Sequence, residues 1–532
     1  MREKRTFLFQ HLDKQPAIET IAFGTQGVKT GDDDRFVKKF WELPDLRQPW
    51  RPYLGTTSSN ADFTGRNSIL RWDNNGSDLI RSRRDNAAYG QVGVAINQMG
   101  DMLSFIYTGE AFDSNVAPII CRDASNTPAL LAFLRSANFT AELGKLEGGM
   151  KINNGTLLRV PFDLAHWRDV ATEVYPTGLP KPYSNDPTQW IFEGHPCGPA
   201  DPNASDNEGR SSNLGEAPQP LHVAVARLLG YRWPRQTGAS FTDCEVVGAD
   251  GLETYADTDG IVCLTALKGE PPAEQRLNAL LANAFGRDWS AAKLNSLLGE
   301  VNYVGKSLDD WLRDGFFAQH CELFHQRPFI WHVWDGRRDG FHALVNYHRL
   351  AAPSGEGRRT LEKLIYSYLG DWIDRQRADQ NLGVEGADGR LAQAEYLRVE
   401  LIKILEGEPP YDIFVRWKAL KAQPMGWDPD IDDGVRMNIR PFINSAPLGG
   451  KKGACILRGR PKGKEFEYGK DRGKEPLREK ADYPWFWDWD EKTSDFTGGT
   501  DFDGNRWNDL HYSRAAKQAA RDRQRASLGG KI

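Results

Sequence analysis

Two glycine-broken turns in residues 22–41 (AFGTQGVKTGDDDRFVKKFW) set Lys29 and Thr30 between hydrophobic flanks, with Arg35 close behind. Cations beside glycine-rich backbone suit phosphate contact: the side chains bring charge, and Gly24, Gly27 and Gly31 allow positive φ and close backbone approach. Phe23, Val28, Phe36 and Val37 are placed to anchor such a loop on strands. Further polar stretches mix Arg, Asn and Gln with aromatics at 65–67, 97–98, 151–154, 334–339 and 435–440. From them Arg66, Gln98, Lys151, Asn153, Arg337, Arg338, Arg436, Asn438 and Arg440 are candidate DNA-contacting residues. The forks of Arg, Asn and Gln match guanine and adenine edges, and these residue types also meet phosphates.

Catalytic chemistry is harder to place. Glu408-Pro409-Pro410-Tyr411 approaches the amino-methyltransferase pattern, in which an Asn or Asp and two prolines hold the target amine while an aromatic stacks on a flipped base. Here the first residue is Glu, a helix precedes it, and the same Gly-Glu-Pro-Pro run recurs at 269–272, so prolines at helix boundaries account for both copies. No glycine loop for S-adenosylmethionine follows a buried strand. Asp482, Asp490 and Lys492 could be fitted to a metal-dependent nuclease, but such loose spacing also suits an aromatic-rich surface. His320, Cys321 and His325 fall on different helix faces, which favours core or capping roles over a shared metal. No catalytic, cofactor-binding or metal-ligating residue is assigned.

These stretches need elements to hold them. The 532 residues exceed one compact core and imply two to four domains. Strand-like runs at 69–72, 92–96, 103–107 and 117–121, with a helix at 128–143 and an Asn-Asn-Gly turn plus strand at 151–159, describe an α+β recognition domain over 1–161. A connector with short helices and long loops follows over 162–268, including an amphipathic helix at 162–174, a buried helix at 221–231 and a strand at 261–264. Helical periodicity dominates 269–423, where helices at 360–377 and 389–406 are expected to pair antiparallel. Residues 424–532 read as an irregular, partly basic tail that wraps the body or lacks regular structure, closing in a basic helix at 507–526.

The net charge of −5 argues against indiscriminate nucleic-acid binding, although 451–480 is a basic run between acidic segments. Seventeen tryptophans suggest flat recognition surfaces or wide packing between elements. Six cysteines without a CxxC pair disfavour a disulfide framework or zinc knuckle. With no long apolar run and no signal-like start, the expectation is a cytoplasmic protein without a membrane partner.

Several long stretches resemble one family: 24–36 (GTQGVKTGDDDRF), 186–198 (DPTQWIFEGHPCG), 223–234, 327–348 (RPFIWHVWDGRRDGFHALVNYH), 406–417 (EGEPPYDIFVRW), 433–442 (DGVRMNIRPF) and 504–517 (GNRWNDLHYSRAAK). In order, they are similar to the large adenine-specific DNA methyltransferases of type II G-like restriction–modification and BREX-type phage-defence systems. The family's methyltransferase core, with its cofactor loop and Asn-Pro-Pro-aromatic motif, cannot be placed, so the chain resembles the C-terminal, target-recognition and helical portion. The resemblance implies that the GVKTG loop opens a target-recognition domain and that Lys29, Thr30 and Arg35 contact double-stranded DNA. It also implies a methyltransferase core or another defence-system subunit as partner, which would carry the S-adenosylmethionine. A self-sufficient methyltransferase or nuclease, and a non-catalytic protein-interaction subunit, are the alternatives.

Overall fold

The computed structural model describes residues 16–47, 49–146, 151–198, 219–242, 244, 246–408, 411, 413–415, 424–443, 445, 455–463, 466, 507–511 and 514–529. Up to residue 121 these hold the strands β1 (Ala22–Gly24), β2 (Val37–Lys39), β3 (Trp50–Leu54), β4 (Ser68–Arg71), β5 (Gly93–Asn97), β6 (Ser104–Tyr107), β7 (Ala111–Phe112) and β8 (Val116–Cys121). They build two four-stranded sheets, β1-β8-β5-β6 and β2-β4-β3-β7. Pairing is antiparallel except between β3 and β7. The architecture is α+β, strand-rich at the start and helix-rich in the middle.

Alternation along the strands explains how the first sheet is covered. Val94, Ile96, Ile106, Ala117 and Ile119 pack against Leu130, Leu131, Phe133 and Leu134 of the helix Thr127–Leu134. Their neighbours Ala95, Phe105, Tyr107, Val116 and Ile120 point the other way and meet Leu54 and Phe112 of the second sheet. With both faces covered, β5 and β8 are buried along their whole length and read as nearly continuous apolar runs. Each large aliphatic or aromatic side chain so buried contributes about 1.5–3 kcal/mol.

Two local expectations are corrected. The helix expected over 128–143 is two helices, Thr127–Leu134 and Ala137–Leu146. The turn and strand expected at 151–159 are a short helix, Asn154–Leu158, because the Asn153 side chain accepts from Thr156 N at 3.0 Å and caps it. The amphipathic helix is found at Leu164–Val174 and the buried one at Pro220–Leu228.

A third sheet joins the strand expected at 261–264, found as β9 (Ile261–Cys263), to two strands inside the region expected to be helical, β10 (Ile330–Trp334) and β11 (His342–Asn346), in the order β10-β11-β9. Asp335 closes the β10–β11 turn, its carboxylate accepting from Arg337 N at 3.0 Å and Phe341 N at 2.9 Å. Residues 455–458 cover the outer edge of β10, with Trp334 N donating to Ile456 O at 3.0 Å and Arg458 N to His332 O at 2.8 Å. Because β9 and β10 share this sheet, it spans the compositional boundary at 268.

The paired helices are Glu356–Glu362 continuing through Leu369–Asn381, and Ala387–Glu406. Arg377 bonds Glu395 at 2.8 Å while Arg358 reaches Leu405 O at 2.6 Å, so they run antiparallel. The closing segment differs from expectation: β12 (Ile413–Val415) pairs antiparallel with β13 (Trp507–His511), and the terminal helix is Arg514–Gly529. Asp482, Asp490, Lys492 and most of the basic run at 451–480 lie outside the described residues. Among the described residues no helix is long and apolar enough to cross a membrane.

The core does not stop at residue 161. Trp41 is fully buried, donates its indole N–H to Arg327 O at 3.0 Å and accepts at its carbonyl from His348 Nε2 at 3.0 Å. Its ring meets Phe324 edge-on at 5.2 Å and stacks on His325 at 5.7 Å.

Candidate functional site

The loop after β1 is built on Val28 and Phe36, which pack with Tyr53, Leu70, Leu79 and Ala111 in a small core of their own. Of its three glycines only Gly31 has positive φ, at 81°. Gly27 is needed for close approach instead: a Cβ there would lie 2.3 Å from Asp113 O. Val28 N then donates to Phe112 O at 2.8 Å and fixes the loop on β7.

Beyond Val28 the loop pairs with a segment not among the sequence candidates. Lys29 N donates to Arg81 O and Arg81 N to Lys29 O, each at 3.0 Å. Gln26 Oε1 accepts from Arg81 Nη1 at 3.1 Å and Arg83 Nη2 at 2.8 Å. Lys29, Arg81, Arg83 and Arg84 are all exposed, so a two-stranded ridge carries four cations into solvent. Three arginines within four residues (RSRR, 81–84) were the available signal. Asp78 and Asp85 flank the ridge; Asp78 lies 3.7 Å from Arg35.

Thr30 and Arg35 serve the loop itself. Thr30 is buried and its hydroxyl donates to Asp33, while Asp32 caps the short helix Asp33–Phe36 by accepting from Arg35 N at 3.3 Å. The Arg35 guanidinium lies 4.8 Å from the centroid of the Phe36 ring.

The other sequence candidates divide by burial. Arg66 is fully buried, paired with Glu110 at 3.1 Å and donating to Ile106 O at 2.9 Å and Thr64 O at 3.2 Å, so it braces the two sheets and presents nothing to a ligand. Buried Gln98 bonds Asn154, and Asn154 Nδ2 reaches Thr25 O at 2.6 Å, which ties the 151–154 turn to the loop. Lys151 is exposed but donates to Asn115 Oδ1 at 2.6 Å; Asn153 is exposed and spent on its cap. Arg337 pairs with Asp339 at 3.0 Å and Arg338 with Asp314 at 3.1 Å, on the β10–β11 turn. Arg436, Asn438 and Arg440 are buried: Arg436 bonds Asp34 at 2.9 Å, and Asn438 Nδ2 donates to Asp430 O at 2.7 Å and Tyr347 Oη at 2.8 Å.

A polar cleft of about 530 Å3 opens beside the ridge. It is lined by Lys39, Ser68, Tyr53, Asn67, Asn115 and His325, among others. Lys39 Nζ donates to Asn67 Oδ1 at 2.8 Å and Ser68 Oγ at 3.4 Å. Burial, reinforced by the Arg327 charge and opposed by Glu42, brings its pKa down to about 8. His325 is held in a left-handed conformation at φ 52°, followed by Gln326 at 61°, and burial followed by the Lys39 charge lowers its pKa. Two adjacent non-glycine residues in that region cost on the order of 1 kcal/mol each, which the packing of Trp41 on His325 must offset.

The remaining motifs are structural in what is described. The Tyr411 hydroxyl donates to Glu400 in the core, while Pro409 and Pro410 lie outside the described residues. His320 and Cys321 are buried, His320 Nε2 accepting from Ile330 N at 3.2 Å. Among the described residues no group of three or more His, Cys, Asp or Glu is placed to hold a metal ion. No protein-family model matches the chain, and no curated protein is similar to it.

Proposed function

We propose that the chain is the DNA sequence-recognition part of an adenine-specific, S-adenosylmethionine-dependent DNA methyltransferase of a restriction–modification or phage-defence system. Methyl transfer is assigned to a separate catalytic core, and the helix-rich half is the body that supports the reading surface or docks that core. The observation that carries the reading is the pairing of Lys29 with Arg81. It turns a loop whose sequence resembles the opening of a target-recognition domain into a ridge of four exposed cations, and such a ridge suits the phosphate backbone. A second observation agrees: the resembling stretches 24–36 and 433–442 meet in space through Asp34 and Arg436.

Fluorescence anisotropy of the purified chain with mixed-sequence duplex DNA, titrated across salt, tests the proposal. Joint replacement of Lys29, Arg81, Arg83 and Arg84 by alanine should weaken binding and flatten the dependence of log affinity on log salt by about 0.9 for each phosphate no longer neutralised. Unchanged affinity and slope would sink the reading. Robust transfer of labelled methyl groups by this chain alone would overturn the assignment of catalysis to a separate core.

A further inference from the structure

The cleft beside the ridge is a site that phosphate binding does not use. We infer that it receives one unstacked nucleobase of bound DNA, a reading that rests on the DNA-binding proposal above. The cleft and the ridge share one loop: Asp33 lines the cleft, and its carboxylate accepts from Thr30, the residue after Lys29. DNA held on the loop by Lys29 would lie next to the segment that lines the cleft at Asp33.

The chemistry of the lining selects the ligand. An anion is opposed by Asp33, Asp113 and Asp186, three carboxylates that share the cleft with Lys39. A neutral heterocycle is not. Asn67 Nδ2 and the hydroxyls of Thr56 and Ser58 make no hydrogen bond to the described residues, so donors and acceptors stand ready at the wall. The edge of a nucleobase presents the matching set, and its flat face requires an aromatic neighbour. His325 supplies one. Its ring is backed by Trp41 at an interplanar angle of 23°, and its left-handed backbone keeps it at the cleft wall.

The experiment compares the full chain on two short duplexes, one fully paired and one carrying a single unpaired 2-aminopurine. The unpaired base has already lost the pairing that extrusion must break, so binding should be about tenfold tighter and the 2-aminopurine emission should change on binding. The readout for variants is the ratio of the two affinities. Lys39→Met and, independently, Asn67→Ser should bring that ratio toward one, with thermal melting used to confirm folding; Lys29→Ala should weaken both duplexes and leave the ratio. Equal affinity of the wild-type chain for the two duplexes overturns the inference while leaving DNA binding intact. So does a ratio unchanged in both cleft variants, or saturation by free nucleosides without any gain from the unpaired base. Failure to bind either duplex overturns the DNA reading itself.

Discussion

Arg436 lies 402 residues along the chain from Asp34, yet its guanidinium sits 2.9 Å from the Asp34 carboxylate and also donates to the Asp34 carbonyl at 3.4 Å. The arginine side chain is 4% exposed and the aspartate 61%, so the pair joins a buried cation to the outer rim of the loop. Arg71 and Asp432 form a second bridge alongside at 3.2 Å. The segment 432–436 thereby clamps the base of the loop that carries Lys29.

That asymmetry of burial sets unequal costs for the two partners. Arg436→Ala removes a packed, multiply bonded side chain and should destabilise the protein by about 3 kcal/mol, whereas Asp34→Asn should cost under about 1 kcal/mol because its carboxylate is screened by water. Denaturant unfolding of the two variants measures the difference. Equal costs would mean that the clamp works through the Asp34 carboxylate alone.

Gly27 is the second point on which the loop depends. An alanine methyl would enter the space of Asp113 O at 2.3 Å and Phe112 O at 2.5 Å, and backbone cannot yield as a flexible side chain does. Gly27→Ala should cost about 3 kcal/mol, displace the Lys29–Arg81 pairing and weaken DNA binding. Hydrogen exchange at the Val28 amide, now bonded to Phe112 O, reports the displacement directly.

What could be foreseen follows from the range of the interaction responsible. Strands β5 and β8 were legible because Val94, Ile96, Ile119 and Ile120 sit in short apolar runs bounded by turns, which is local information. Asn153 misled because an Asn-Asn-Gly run serves a hairpin or a helix cap equally well, and only the Thr156 amide decides. Arg66 looked like a base reader because its loop is polar; that Glu110 would meet it inside the protein depends on two sheets packing, not on neighbours in sequence. The three arginines at 81–84 were visible, but their value comes from pairing with Lys29, which no periodicity encodes. Strands β10 and β11 were hidden by the helical periods on either side, although Asp335-Gly336 marked their turn.

The Arg66–Glu110 pair provides a test of that correction. With Arg66 fully buried and Glu110 8% exposed on the side chain, Arg66→Met leaves a carboxylate buried without its cation and should cost about 4 kcal/mol. Replacing both, as Arg66→Met with Glu110→Gln, should recover more than half of that loss. A base-reading role would give the opposite pattern: folding near wild type, with altered sequence preference on DNA.

Acid should unfold this protein through its buried imidazoles. Burial lowers the pKa of His222 and His348 to about 4 from an ordinary 6.5, and moves His320 and His332 down as well; His332 Nε2 and His342 Nδ1 face one another at 3.0 Å, so protonating both is opposed further. The unfolded chain takes up protons at these sites before the folded one does. Their contribution is therefore complete above pH 6.5 and is lost as the pH falls through about 4, on the order of 3 kcal/mol each for His222 and His348. Asp335 works in the opposite sense, because burial raises its carboxyl to about 6 and the folded state gains protons there first. Burial raises the carboxyls of Glu274 and Glu300 too, but the six lowered imidazoles, His325 and His342 included, outweigh these three carboxyls. The melting temperature should fall steadily from pH 6.5 to 4, and His222→Gln should make the decline shallower. A melting temperature flat across that window would show that the imidazoles are not held neutral by the core.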